Sequence, residues 1–506
     1  MEPTKRIIVN TGAQYTKAIS NTCLSLYSTR LILEALQVTD FGIYALVGGV
    51  VALLGFITNA LVITTQRYVS YYNGKGDYEY VRKIFSNSLL LHILFGIAIA
   101  CILLLLKGWL FSSVLNIVPE RIDTAQSVYL VTVLMLFITI LTAPFKALFI
   151  AHENIVFVSV VDICDGIIKL FIAIGLAYVS ADRLLVYAFL MAGIQLLNLL
   201  VFSLYARFKY EECHLRVHRR DVDRQAMSQL TGFAGWTTYG TGAVVARTHG
   251  ITVIINHFYG TTANAAYGIA AQVTNAVIFV SSSIINAMNP QIMKAEGMGD
   301  RQKMLHLAGQ ESKYSVMLLA LVSIPIMMEM PSILSVWLPQ VPPHTVMFSR
   351  FAIAICLIDQ FTIGLNAANQ AQGHIGPYTL IMYTPKLLNL PFAWFLLSYD
   401  YSLEAVMWSI FIVEFVTAVL RLPYLKRTAG LRIRQFMRHA VLPVVPIIVM
   451  SIAACWCCDR LFHFPFSFLI TFAVAILAGM VTAWAVTLTT SERAYIVRLI
   501  KTRIGK

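Results

Sequence analysis

Apolar runs of membrane-spanning length recur along the whole chain, separated by short polar segments. A spanning helix needs roughly 20 predominantly apolar residues. Such stretches fall at 8–33, 41–66, 84–106, 126–150, 154–179, 184–206, 227–256, 263–290, 314–338, 346–371, 375–397, 403–422, 439–458 and 466–488. They predict an all-α polytopic membrane protein of about 14 transmembrane helices. The first stretch follows Lys5 and Arg6 and is interrupted by Asn10, Gln14, Lys17 and Asn21. A signal peptide would carry an unbroken apolar run there, so this reads as an amphipathic span facing a cavity.

The pattern also repeats. Phe41-Gly42-Ile43-Tyr44 opens an apolar stretch that closes on Gly74-Lys75-Gly76-Asp77, and Tyr267-Gly268-Ile269 opens one that closes on Gly297-Met298-Gly299-Asp300. The closing motifs lie 223 positions apart, and Ala151-His152-Glu153 aligns with Ala371-Gln372-Gly373 at an offset of 220. Spans one to six thus correspond to spans seven to twelve. An even number of spans per copy predicts two six-helix lobes related by a pseudo-two-fold along the membrane normal, a transporter-like arrangement. The expected organisation is an N-lobe at 1–206, a basic linker at 207–226 with Arg216, Arg219 and Arg220, a C-lobe at 227–425, and two further helices with a basic tail at 426–506.

Composition fits this pattern: 58% of residues are apolar, 12% are charged, and the mean hydropathy is +0.73. Soluble domains carry about twice that share of charge. The formal charge of +13 is explained by topology. With the N-terminus inside, 28 of the 38 Lys and Arg residues fall in loops on the cytoplasmic side and 5 on the other, as the positive-inside rule requires. This predicts cytoplasmic termini and an affinity for anionic lipids, and gives no reason to invoke nucleic acid. Of the eight cysteines, Cys213 falls in a loop and the rest in spans. Cys455-Trp456-Cys457-Cys458 reads as buried small hydrophobes, so no metal site is expected. The absence of a Gly-rich phosphate loop or an HExxH helix argues against nucleotide hydrolysis or zinc chemistry.

Charged groups inside a bilayer cost about 2.5 to 3.5 kcal/mol at a helix centre and usually face a cavity or a partner. Lys17 and Arg30 lie in span one, Lys169 in span five, Arg247 in span seven and Lys386 in span eleven. The bases fall on repeat-equivalent spans, one with seven and five with eleven. They suggest a cationic cavity for an anionic substrate, because Arg offers paired donors to phosphate oxygens and Lys a compact charge. The alternative is that each base neutralises a buried acid or reaches back to an interface. Asp162 and Asp165 share a helical face with Lys169. Asp359, Glu329 and Glu414 have no same-helix partner, and a membrane carboxylate without one could carry a proton. Asp162, Asp165, Asp359 and Glu414 are therefore the candidates for coupling to H⁺ or Na⁺. Pro144, Pro290, Pro325, Pro377, Pro385 and Pro391 are candidate bends.

Two six-helix lobes, two extra spans, the Gly-Ile-Tyr opening and the Arg67-Tyr68-Val69-Ser70 closing of span two together resemble a known family. It is the polysaccharide transporter family (O-antigen and capsule repeat-unit flippases) of the multidrug/oligosaccharidyl-lipid/polysaccharide exporter superfamily. The resemblance implies a MATE-like fold in the bacterial inner membrane. It also implies a flippase, not an enzyme, that passes undecaprenyl-pyrophosphate-linked oligosaccharide from the cytoplasmic to the periplasmic leaflet by alternating access. An ion gradient would drive it, without an organic cofactor, and polysaccharide assembly proteins would be partners. A cation-coupled multidrug exporter is the alternative, and a membrane glycosyl transferase or ligase a third reading, disfavoured by the lack of a large outer loop.

Overall fold

The computed structural model describes residues 3–52, 54–114, 117–213, 221–338, 340–461, 466–494 and 497. Each of the fourteen expected stretches is mostly helical over its described residues. The elements are α1 (Pro3–Ala52), α2 (Gly55–Lys75), α3 (Tyr78–Trp109), α4 (Ile122–Ala151), α5 (Ile155–Leu176), α6 (Arg183–Lys209), α7 (Arg224–Gly297) and α8 (Arg301–Met328), followed by α9 (Met330–Trp337), α10 (Thr345–Gln360), α11 (Ile363–Gln372), α12 (Gly376–Ser398), α13 (Leu403–Ala429), α14 (Ile433–Phe436), α15 (Val445–Leu461) and α16 (Ser467–Thr482). Among the described residues nine helices are long and apolar enough to cross a membrane, or ten when α10 and α11, bent by 46° at their junction, count as one span. The protein is an all-helical polytopic membrane protein.

Two compact units are formed, Met1–Gly242 with Met293–Gly299, and Ala243–Ile292 with Asp300–Lys506. The division falls inside α7. Residues 214–220 of the basic segment, including Arg216, Arg219 and Arg220, lie outside the described residues. In the first unit α1 packs along α5 and α4 against α6, around a core that includes Val47, Val128, Tyr129 and Leu184. In the second, α12 packs on α13, and α8 lies against α10, α11, α15 and α16.

The sequence repeat is written into the backbone. Gln37 breaks α1 at φ 62°, ψ 171°, and Gly260, 223 positions later, breaks α7 at φ 73°, ψ −171°. That conformation is open to glycine and strained for a residue with a Cβ, at about 1–3 kcal/mol. Gly76 and Gly299 share φ near 77°, and the aspartate after each caps the next helix: Asp77 accepts from the Tyr80 backbone N–H and Asp300 from that of Lys303. The Gly-x-Gly-Asp motif is thus a helix stop followed by a helix start. Glu153 and Gly373, the third matched pair, are left-handed at φ 59° and 86°.

The first glycine of each motif has another reason. A Cβ on Gly74 would collide with the carbonyl oxygen of Lys294, and one on Gly297 with that of Tyr71. The contact is reciprocal, since Lys294 and Tyr71 are also 223 positions apart. Small residues allow helix backbones this close an approach. The prolines predicted to bend helices lie within or at the start of them (Pro144, Pro290, Pro325, Pro377, Pro385, Pro391). The recorded breaks fall instead at Gln37, Gly260 and the α10–α11 junction.

Candidate functional site

Apart from Arg30, the candidate charges gather into a cluster of ion pairs in each unit, half-buried in the first and more deeply buried in the second. In the second unit α7 brings Arg247, α12 brings Lys386 and α13 brings Glu414. Arg247 Nη1 donates to Glu414 Oε2 at 3.1 Å and Lys386 Nζ to Oε1 at 2.6 Å, so each carboxylate oxygen takes one base. The Lys386 and Glu414 side chains are only 7% and 3% exposed, and the Lys386 ammonium also lies over the Tyr383 ring at 5.4 Å. Asp359 at the end of α10 receives Arg421 Nη2 at 2.7 Å. Arg421 Nη1 reaches Thr362 Oγ1 at 3.1 Å and the Asp359 carbonyl at 3.3 Å. A single guanidinium therefore satisfies the side chain of α10 and the backbone at its bend, in keeping with the need for broken membrane helices to find internal partners.

In the first unit Asp162 on α5 is held by Lys17 from α1 at 2.5 Å and by Lys146 from α4 at 2.9 Å, again one base on each oxygen. Asp165, one turn on, pairs with Lys169 at 2.7 Å and accepts from Asn198 Nδ2 on α6 at 2.9 Å. Gly166 lies between them, where a Cβ would press on Asn21 and Leu24 of α1. The second unit carries a matching close approach, Gly250 of α7 against Leu390 of α12. Each network holds three bases and two carboxylates: Lys17, Lys146 and Lys169 with Asp162 and Asp165, then Arg247, Lys386 and Arg421 with Asp359 and Glu414.

Several sequence expectations change on this geometry. Asp359 and Glu414, lacking partners on their own helices, find them on neighbouring ones. Arg30 joins neither network, because its side chain is 75% exposed and paired with Glu34 one turn away. Lys146, Lys313 and Arg421, near the ends of the apolar stretches, lie inside α4, α8 and α13 and are ion-paired there. Arg421 was the functional candidate missed. Its signal was its spacing of seven from Glu414, two helical turns along the same face. Glu311 on α8 was missed as well: it is fully buried, and among the described residues neither of its carboxylate oxygens has a hydrogen-bond partner. Such groups are rare in native folds and mark places of strain or chemistry.

Outside the spans, burial pushes the pKa of Glu212 up, but its contact with His152 more than offsets this and holds the carboxyl pKa below its ordinary value. Burial, with Glu212 beside it, pushes the adjacent Cys213 thiol up to about 12, so this loop cysteine is no ready metal ligand. Among the described residues no cluster of three His, Cys, Asp or Glu side chains could hold a metal ion.

No family model matches the chain, and no curated relative matches it. Solved structures do, 33 chains in all. One is a MOP superfamily transporter from Pyrococcus furiosus Vc1, described as having a binding pocket of reverse polarity that suggests a different function. It is 14% identical with a TM-score of 0.72, covering 86% of this chain and 97% of its own. A multidrug resistance MATE family transporter of the MOP superfamily in an outward-facing conformation is 15% identical with a TM-score of 0.73, covering 86% and 97%. A MATE in its bent conformation is 14% identical with a TM-score of 0.74, covering 87% and 97%. The chain therefore has the fold of MATE transporters of the MOP superfamily.

Proposed function

We propose that this chain is a transporter that moves an undecaprenyl-pyrophosphate-linked oligosaccharide from the cytoplasmic to the periplasmic leaflet of a bacterial inner membrane by alternating access. The observation that carries the reading is the charge of the two ion-pair clusters: three bases against two carboxylates in each unit. An excess cation in each suits a pyrophosphate, whose oxygens take Arg and Lys donors. Hydroxyl and amide side chains along α7, such as Thr237, Thr241, Asn275 and Asn289, suit sugar hydroxyls. Both termini are placed in the cytoplasm by the distribution of Lys and Arg. Coupling to H⁺ or Na⁺ would draw on Asp162, Asp165, Asp359 or Glu414, with Asp359 first, since its side chain keeps 26% exposure beside a fully buried arginine.

A multidrug exporter is the second reading, favoured by the description of one neighbour as a multidrug resistance transporter. A cationic drug would call for the opposite charge balance. Another neighbour's reversed pocket polarity illustrates that charge, more than fold, separates substrates here. The deciding experiment replaces Arg247 or Lys386 by Gln in cells whose surface glycan depends on this chain. Glu414 keeps one base in either variant, so protein level should hold while glycan output is lost. Wild-type output from both variants would refute the anionic-substrate reading.

A further inference from the structure

A second basic site lies apart from the ion networks. Four candidate spans begin or end together in the second unit: Arg301–Met328 and Ile433–Leu461 begin there, and Leu403–Ala429 and Ser467–Thr487 finish there. Between these ends opens a recess of about 920 Å³, with Leu305, Leu431 and Phe436 in its lining. Its charged wall is made by Arg301, Lys303 and His306 at the start of α8, by Arg432 and His439 beyond α13, and by the Lys313–Glu492 pair. The acids of this wall are already engaged. Asp300 caps α8 through the Lys303 N–H. Glu492 accepts from Lys313 at 2.8 and 3.1 Å, from the Tyr314 hydroxyl at 2.6 Å and from the Thr489 N–H at 2.7 Å. Among the described residues the side chains of Lys303 and Arg432 have no such partner. The residues after Glu492 include no Asp or Glu that could neutralise them.

A recess at the ends of spanning helices sits at headgroup depth. It combines unmatched cations with an apolar lining, and its neighbouring helices expose Leu442, Val445, Trp484 and Val486, a surface suited to acyl chains with an interfacial tryptophan. Basic pockets between membrane helices are built to hold anionic headgroups, and this volume is ample for one. We propose that the recess binds the phosphate of an anionic phospholipid, with Lys303 and Arg432 as its principal donors and the glycerol and upper acyl segments along α15 and α16. This site is separate from the transported substrate and stands whichever substrate reading holds.

The test uses the full chain, purified and delipidated in detergent, titrated with phosphatidylglycerol and with phosphatidylcholine under native mass spectrometry. Wild-type protein should bind phosphatidylglycerol at least tenfold more tightly than phosphatidylcholine, and a K303Q/R432Q variant should lose that preference. Both side chains are exposed, so the double variant should fold; the single variant R432Q, expected to lose part of the preference, tests the same point if it does not. Equal binding of the two lipids by wild-type protein, or unchanged preference in the variants, would overturn the proposal. Full displacement of the lipid by millimolar inorganic phosphate would overturn it too, assigning the recess to a soluble anion.

Discussion

Removing Arg421 would strand the Asp359 carboxylate and at the same time free Thr362 and the carbonyl at the α10–α11 bend. Breaking a buried pair from one side costs about 3–5 kcal/mol, whereas removing both charges is far milder. Arg421→Gln is therefore expected to lower the melting temperature in detergent sharply, and D359N/R421Q to recover most of the loss. A double variant no more stable than R421Q would refute the pairing as the main role of Arg421. The residue scale also shows what the linear sequence conveys. Lys17, Lys169, Arg247 and Lys386 were legible because a charge inside an apolar run is conspicuous. The Lys169–Asp165 pair was legible as well, as a contact four residues apart on one helical face, but the partners of Lys17, Arg247 and Lys386 were not, because pairing across helices depends on which faces meet. Arg421 and Lys146 escaped notice because each lies near the end of an apolar run, where composition alone cannot separate a loop from a last buried turn.

At the scale of elements, the reciprocal approach of Gly74 to Lys294 and of Gly297 to Tyr71 makes a prediction of its own. In both cases the obstacle to a Cβ is backbone, not a movable side chain. Overpacking of this kind costs about 1–3 kcal/mol. Because the contacts are equivalent, G74A and G297A should destabilise by similar amounts, measurable as matched falls in melting temperature; one tolerated and one damaging substitution would break the equivalence. The motif was legible as a repeat, but its division into close contact, helix stop and cap was not. The segment Thr489–Glu492 after α16 offers a pH test. Burial pushes the Glu492 pKa up, yet Lys313 and Tyr314 more than offset that, and the folded pKa lies below the ordinary one. Its contribution is thus present above the ordinary glutamate range, near pH 4.3, and is lost as pH falls through the folded value. Protease access to the C-terminal segment should rise at that acidic end in wild-type protein. In E492Q it should be high at every pH; a pH-dependent profile retained in E492Q would exclude this pair as the cause.

At the scale of the whole molecule, two networks of the same charge balance are carried by helices that the sequence repeat makes equivalent. Their details differ: the doubly held carboxylate is Asp162 on α5 in one unit and Glu414 on α13 in the other. Despite those differences, each cluster carries one base more than its carboxylates. That sets an expectation for substrate. Lys386→Gln leaves Glu414 bonded to Arg247, while Lys169→Gln leaves Asp165 the Asn198 hydrogen bond but no paired base, so each removes one cation from its cluster. If the transported substrate is an anionic lipid-linked saccharide, each change should weaken its transport severalfold. The two networks share no residue, so the double variant should show the product of the single effects. Transport of a fluorescent polyprenyl-pyrophosphate saccharide by reconstituted protein measures this directly. A cationic drug as substrate would reverse the sign, since both changes would then favour its binding, and improved drug efflux from K169Q and K386Q would overturn the anionic reading.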